Sequence, residues 1–248
     1  MIYTSLLKGK GIAKCAAMVA VAAASVVFTS CLKNDNNTVI PAQDVAAISI
    51  INASPNSRTI NVAIDDKKLN SSGISYLSGF SYLRAFSGDR KFTVTENSTA
   101  NTTLINKTLK LNKDTYYSLY IAGVGATPSD SLSYVLTVDS LRAPATNKVR
   151  IRFVHLSPGT SSVDVGVAGQ TPIFANVPYK VATNFIEIAP INNVAMVIKD
   201  HNTGAEIGRL ENTSLQSGNN YTVFAKGTAS ATVNDLKPGL KIINHNQL

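Results

Sequence analysis

Three histidines, two cysteines and fifteen acidic residues are the side chains of this 248-residue sequence best suited to acid–base, nucleophilic or metal chemistry. His155 has the most suggestive setting. It closes the run Val149-Arg150-Ile151-Arg152-Phe153-Val154-His155 and precedes Leu156-Ser157-Pro158. A histidine there could serve as a general base or a metal ligand, but either role needs partners at matching spacing. His201 and His245 are isolated in the sequence, and no two histidines stand at ligand spacing. No Gly-x-Ser-x-Gly, His-Glu-x-x-His or phosphate loop occurs. Asp164, in Val163-Asp164-Val165, reads as a solvated strand residue rather than an acid catalyst. The chain is therefore expected to carry no catalytic residue, no metal site and no cofactor, and not to be an enzyme.

The elements around these residues are strands, and they come twice. Ile48-Ser49-Ile50-Ile51-Asn52-Ala53-Ser54-Pro55 leads into Ile60-Asn61-Val62-Ala63-Ile64, and an offset of 103 pairs Pro55 with Pro158 and Val62 with Val165. Tyr117 to Gly123 aligns with Tyr221 to Gly227 at an offset of 104. A period of about one hundred residues is domain-sized, which predicts two copies of one domain, at 44–142 and 147–248. Asn52 occupies the place of His155. Both have short polar side chains that can bond a turn, so His155 is expected to stabilise the Ser-Pro turn.

In the first repeat, strands are predicted at Ala47–Ile51, Thr59–Ile64, near Tyr82–Phe86, and at Lys91–Thr95, Thr103–Leu109, Tyr116–Ile121 and Ser133–Val138. Turns are expected at Ser54-Pro55, Asp65-Asp66, Ser87-Gly88 and Asn112-Lys113-Asp114. Seven short strands at this spacing predict an all-β fold of two tandem immunoglobulin-like antiparallel β-sandwich domains. The linker Ala143-Pro144-Ala145-Thr146 is too short for a flexible tether, so the repeats should sit close.

Residues 1–30 read as a secretory leader. Lys8, Lys10 and Lys14 precede an uncharged run from Cys15 to Thr29, shorter than the roughly twenty residues that span a membrane. The formal charge of +8 falls to +5 without those three lysines, and it is dispersed. Basic residues are not interleaved with aromatics, so nucleic acid is not an expected partner. Neither cysteine lies in the part expected to fold, which leaves no disulfide framework or cysteine-based zinc site there.

Phe28-Thr29-Ser30-Cys31 resembles the bacterial lipobox. That resemblance implies a lipoprotein signal peptide, cleavage before Cys31 and acylation of Cys31, an anchor made permanent by several acyl chains. Residues 31–43 are then the lipidated cysteine and a polar tether. Leu32 after the cysteine resembles the outer-membrane sorting pattern, and Lys33-Asn34-Asp35 resembles Bacteroidetes surface-export signals. The expected address is the outer membrane, lipid-anchored, facing the periplasm or the cell surface. Asp130-Ser131-Leu132 and Asp139-Ser140-Leu141 resemble the O-glycosylation pattern of Bacteroidetes envelope proteins, which makes Ser131 and Ser140 candidate acceptors.

Arg152-Phe153-Val154-His155-Leu156-Ser157-Pro158, Val163-Asp164-Val165, Phe174-Ala175-Asn176-Val177-Pro178-Tyr179 and the later Tyr221-Thr222-Val223 strand resemble the bacterial family called domain of unknown function 4397. Residues 45–141 resemble it more loosely. The family is similar to envelope lipoproteins of Bacteroidetes, often in tandem copies, and its activity is not established. The resemblance implies a non-catalytic binding or structural module of the envelope, its partner an unknown envelope protein or glycan. The alternative is an accessory glycan-binding surface lipoprotein, for which Tyr76, Tyr82, Tyr116, Tyr117, Tyr120 and Tyr134 could form a stacking platform. Strand packing is the plainer account of these tyrosines. Lipidation predicts that Cys31→Ala moves the protein from the membrane to the soluble fraction; membrane fractionation of that variant, with an unprocessed leader excluded as the anchor, decides it.

Overall fold

A computed structural model describes residues 44–55, 58–124 and 132–247. The leader, the tether, Cys31 and Ser131 lie outside them. Among the described residues sixteen strands run in chain order. The first repeat holds β1 (Val45–Asn52), β2 (Ile60–Ile64), β3 (Lys67–Lys68), β4 (Gly79–Phe86), β5 (Gly88–Glu96), β6 (Thr103–Leu111), β7 (Tyr116–Ala122) and β8 (Ser133–Val138). The second holds β9 (Val149–His155), β10 (Val163–Val167), β11 (Phe174–Val177), β12 (Ile186–Ile188), β13 (Ile191–Asp200), β14 (Glu206–Leu215), β15 (Asn220–Lys226) and β16 (Gly239–Asn244). Only two single-turn 3-10 segments, Asn234–Leu236 and His245–Gln247, interrupt the all-β character of the described residues.

The strands form four four-stranded sheets, ordered β4-β1-β7-β8 and β3-β2-β5-β6 in the first repeat, β12-β9-β15-β16 and β11-β10-β13-β14 in the second. The two orders are the same arrangement, displaced by eight strands. In each repeat the first strand runs antiparallel to the fourth and parallel to the seventh. Two-sheet packing is as expected, but the strand pairing departs from the ABED and CFG sheets of immunoglobulin domains. The turn at Asp65-Asp66 places both residues at positive φ, 49° and 62°, joining β2 to the extra short strand β3. Consecutive positive φ values mark a type I′ hairpin, which asparagine, aspartate and glycine tolerate.

Each repeat has its own core. In the first, Ile48, Ile50 and Leu119 of one sheet meet Val62, Phe92 and Leu109 of the other. In the second, Ile151, Phe153 and Val223 meet Val165, Met196 and Ile198. Tyr117 and Tyr221, equivalent at the offset of 104, each accept a backbone N–H five residues upstream, from Asn112 at 2.9 Å and Gln216 at 3.1 Å.

A third core joins the repeats. Ile51, Ala53 and Tyr120 pack with Val154, Leu156 and Phe224, the equivalent positions of the other repeat. The Tyr120 and Phe224 rings lie 5.9 Å apart. The β4-β1-β7-β8 sheet thus packs one face on its own core and the other on its counterpart in the second repeat. Burial on both faces explains why Val149–His155 is buried at every position and shows no polar alternation.

This shared face has a consequence for the fragments. Residues 147–248 alone would expose Val154, Leu156 and Phe224 and leave Arg152 without its acidic partner. The fragment is expected to be β-rich but to melt at least 10 °C below the full body, since loss of about 3 kcal/mol moves a domain of this size that far. Thermal melts followed by circular dichroism measure it; equal melting temperatures would show that the shared core adds nothing.

Candidate functional site

The residues singled out from the sequence go to three places. His155 is fully buried and serves its turn. The Ser157 N–H donates to His155 Nδ1 at 3.3 Å, so Nε2 carries the proton and donates to the Ser161 carbonyl at 3.1 Å. Asn52 does the same work in the first repeat: its Oδ1 accepts the Ser54 N–H at 3.1 Å and its Nδ2 donates to the Ile74 carbonyl at 3.1 Å. Burial holds the His155 pKa below its usual value, which favours the neutral ring that this bonding requires.

Asp164 is a partly solvated strand residue, as expected, but it is paired with the exposed His201. Asp164 Oδ1 lies 2.8 Å from His201 Nδ1 and accepts the Asn176 N–H at 2.7 Å. The pair ties β10 to the turn after β13. Their separation of 37 residues kept the contact out of sight in the sequence.

His245 joins a closed circuit between the repeats. Arg152 Nε donates to Thr222 Oγ1 at 2.8 Å, and the Thr222 hydroxyl donates to His245 Nε2 at 2.7 Å. His245 Nδ1–H donates to the Tyr82 hydroxyl at 2.9 Å, and that hydroxyl donates to Asp139 Oδ2 at 2.6 Å. Arg152 Nη2 closes the ring on Asp139 Oδ1. Ser118 Oγ also donates to Asp139, at 2.6 Å, and the Phe185 ring lies 4.7 Å from the Arg152 guanidinium. The neutral Nδ1–H tautomer of His245 is the one form that lets donors follow one another from Arg152 through Thr222, His245 and Tyr82 to Asp139, which Arg152 also reaches directly. Burial, chiefly, pushes the His245 pKa down to about 4. Arg152 and Asp139 are sealed at 2% and 0% side-chain exposure, so the circuit fastens the repeats and has no access to a ligand.

Ser140 is exposed, but Asp139 beside it is buried in this circuit. A transferase reading Asp-Ser-Leu at Ser140 would have to act before the chain folds. Among the described residues no group of three His, Cys, Asp or Glu side chains could hold a metal ion, and no catalytic constellation is present.

Among the described residues, one place open to a ligand is the free margin of the first repeat, at β4. This eight-residue strand lies at the edge of its sheet and pairs only with β1. On its core side, Leu83 and Ala85 stand opposite Ile48 and Ala46. Across from them is the two-residue β3, too short to cover the opening. A cavity of about 620 Å³ lies between, floored by Ile48, Ile64, Leu69, Leu83 and Ala85. In the second repeat the strand equivalent to β3 is four residues long and puts Phe174 and Val177 into the core.

The other side of β4 carries a ledge. Arg84 and Tyr116 flank the small side chain of Ala47, and Phe86 lies alongside Val45 at the same end. Phe86 is 51% exposed and Tyr116 47%, with the Tyr82 ring edge-on to Tyr116 at 5.2 Å. The second repeat is sealed at the equivalent positions: Arg150 replaces Ala47 and is held under Phe185 at 4.9 Å, and buried Asn220 replaces Tyr116. Of the six tyrosines named from the sequence, Tyr117 and Tyr120 are core residues, Tyr134 packs against the core, and the Tyr76 hydroxyl accepts the Gly227 N–H at 2.8 Å. Tyr82 is in the circuit. Tyr116 alone reaches the ledge. Phe86 was missed because a single phenylalanine at a strand end reads as core.

Residues 46–166 match the model of a family described as Domain of unknown function (DUF4397). The match takes in the first repeat and ends inside β10. No curated protein matches the chain. Among solved structures it is similar to an alpha-glucan-binding streptococcal virulence factor, at 12% identity over 72% of this chain and 92% of that one, with a TM-score of 0.23. It is also similar to a family CBM26 module of Eubacterium rectale solved with maltoheptaose, at 11% identity over 80% of this chain and 96% of that one, with a TM-score of 0.23. Both TM-scores are too low to establish a common fold, so the meaning of the site rests on its own residues.

The circuit predicts a pH dependence. The unfolded chain takes up a proton on His245 near pH 6.5, and the folded protein only near pH 4. The stability that neutral His245 contributes is therefore complete above pH 6.5, declines as the pH falls towards about 4 and then levels off, a loss of about 3 kcal/mol. Comparing urea unfolding of the wild type and His245→Gln between pH 7 and pH 4 isolates this step, because His155 shifts in the same direction in both proteins. Equal slopes would assign the dependence to other groups.

Proposed function

We propose that the protein is a non-catalytic binding module of the cell envelope, held at the outer membrane by acyl chains on Cys31. On this reading, residues 44–142 and 147–248 are two copies of one domain, fused into a stiff body that presents the β4 margin of the first. The observation that carries it is the asymmetry between the copies. Two repeats with one strand order differ where the first is open: Ala47 and Tyr116 against Arg150 and Asn220, and the two-residue β3 against the core-filling β11. A pure spacer has no use for exposed aromatics at one margin, whereas a binding module does.

A glycan is the ligand class that the ledge suits. Exposed Tyr116 and Phe86 offer ring faces for sugar C–H surfaces, Arg84 offers donors for hydroxyls, and Ala47 leaves room between them. This supports the accessory glycan-binding reading, with Leu32 and Lys33-Asn34-Asp35 supporting an outer-membrane, surface-exposed address. Ser131 and Ser140 remain proposed O-glycan acceptors. The test is an array of bacterial and dietary polysaccharides probed with residues 42–248. The double variant Tyr116→Ala, Phe86→Ala should weaken any glycan binding about tenfold or more, with the melting temperature lowered by only a few degrees because both side chains are half exposed. Undiminished binding by that variant would move the site elsewhere, and capture of an envelope protein without any glycan would support the spacer or scaffold role.

A further inference from the structure

We propose that the cavity between β3 and β4 binds a single-chain anionic amphiphile, its alkyl chain in the cavity and its acidic head at Lys67. This site opens on the opposite side of β4 from Tyr116, shares Arg84 and Phe86 at its rim with the ledge, and does not rest on the glycan reading. The cavity, at about 620 Å³, lies within the range of roughly 300–1,000 Å³ typical of small-molecule sites, which are mostly apolar with a few placed polar groups. Its floor reaches fully buried Ile48, so an alkyl chain entering it would meet core side chains rather than water.

The mouth supplies the sign of the head group. Lys67 pairs directly opposite Ile64, whose side chain is in the core, and directly opposed residues of an antiparallel pair point to the same face. Lys67 therefore stands on the cavity side of its sheet. The carboxylates close by are already engaged: Asp65 with Arg90 at 2.9 Å and Asp66 with Lys91 at 2.8 Å. Arg90, by its hydrogen bond, also holds Asp65 below the usual carboxylate range, so Asp65 stays ionised and committed to that pair. Of the charged residues that line the cavity, Lys67 and Arg84 make no ion pair among the described residues. An apolar cavity whose only uncommitted charges are cationic is complementary to a carboxylate, sulfate or phosphate carried on an alkyl chain.

An inward-pointing lysine can also serve only to guard an exposed sheet edge against pairing. The two roles separate experimentally. The protein used is residues 42–248, which form one compact unit. Fluorescence of cis-parinaric acid should rise on mixing and saturate at one equivalent. Laurate and dodecyl sulfate below micellar concentration should displace the probe, with dodecyl maltoside and dodecyltrimethylammonium weaker by about tenfold or more. Lys67→Glu should weaken laurate by about tenfold, since attraction becomes repulsion. Leu83→Trp, which fills the cavity from a partly exposed position, should abolish probe binding, and Tyr116→Ala should leave it unchanged. No fluorescence rise, equal displacement by the cationic and anionic detergents, or wild-type laurate affinity in Lys67→Glu would each overturn the proposal. Self-association of Lys67→Glu with unaltered laurate binding would assign the lysine to guarding the edge.

Discussion

A guanidinium and a carboxylate, both removed from water, set the terms for the rest of this molecule. Stripping Arg152 and Asp139 of solvent costs several kcal/mol for each ion, and Coulomb attraction offsets this only where every remaining donor and acceptor is used. Here they are used. Arg152 reaches Asp139, Thr222 and the Val138 carbonyl, and Asp139 also takes the hydroxyls of Tyr82 and Ser118. These groups come from both repeats, so the bonding is complete in one relative placement of the two sheets and in no neighbouring one. Apolar contacts among Ile51, Tyr120, Val154 and Phe224 attract the sheets without fixing their register. The division of labour is therefore clear: hydrocarbon supplies the association, and the polar ring supplies the geometry.

Much of the fold could be read from residues. The repeat offsets, the strands of the first repeat and the turns at Asp65-Asp66, Ser87-Gly88 and Asn112-Lys113-Asp114 rest on local chemistry, and local chemistry is what a sequence displays. The equivalence of Asn52 and His155 was also legible, because both answer a turn amide two residues away. The contact between the repeats was harder to see. Its signal is the lack of alternation in Val45–Asn52 and Val149–His155, and a strand buried on both faces looks like any short apolar run. Arg150 and Arg152 obscured it further, since two arginines in a strand ordinarily mark a wet face. The ring itself joins residues 57, 70 and 163 positions apart, a relation that no spacing rule encodes.

The margin at β4 was invisible for a different reason. It is defined by what is missing: β3 is two residues where its counterpart has four, and Ala47 stands where the second repeat has Arg150. Each residue is ordinary in itself. Only a comparison of the copies in space shows that one has been closed with bulky and charged groups and the other left open. Two halves with one strand order thus give an internal reference within a single chain, and the differences between equivalent positions mark where the first half is left open.

The pairing of β1 has a mechanical meaning. This strand follows directly on the segment that leads back to Cys31, and it lies between β4 and β7 in its sheet. A pull between that segment and anything grasped by β4 would pass across one ladder, from β4 to β1, whose inter-strand hydrogen bonds lie perpendicular to the strands. Tension along β1 loads those bonds side by side in shear rather than opening them one after another. The second repeat would lie outside this line of force, packed against the other face of the loaded sheet.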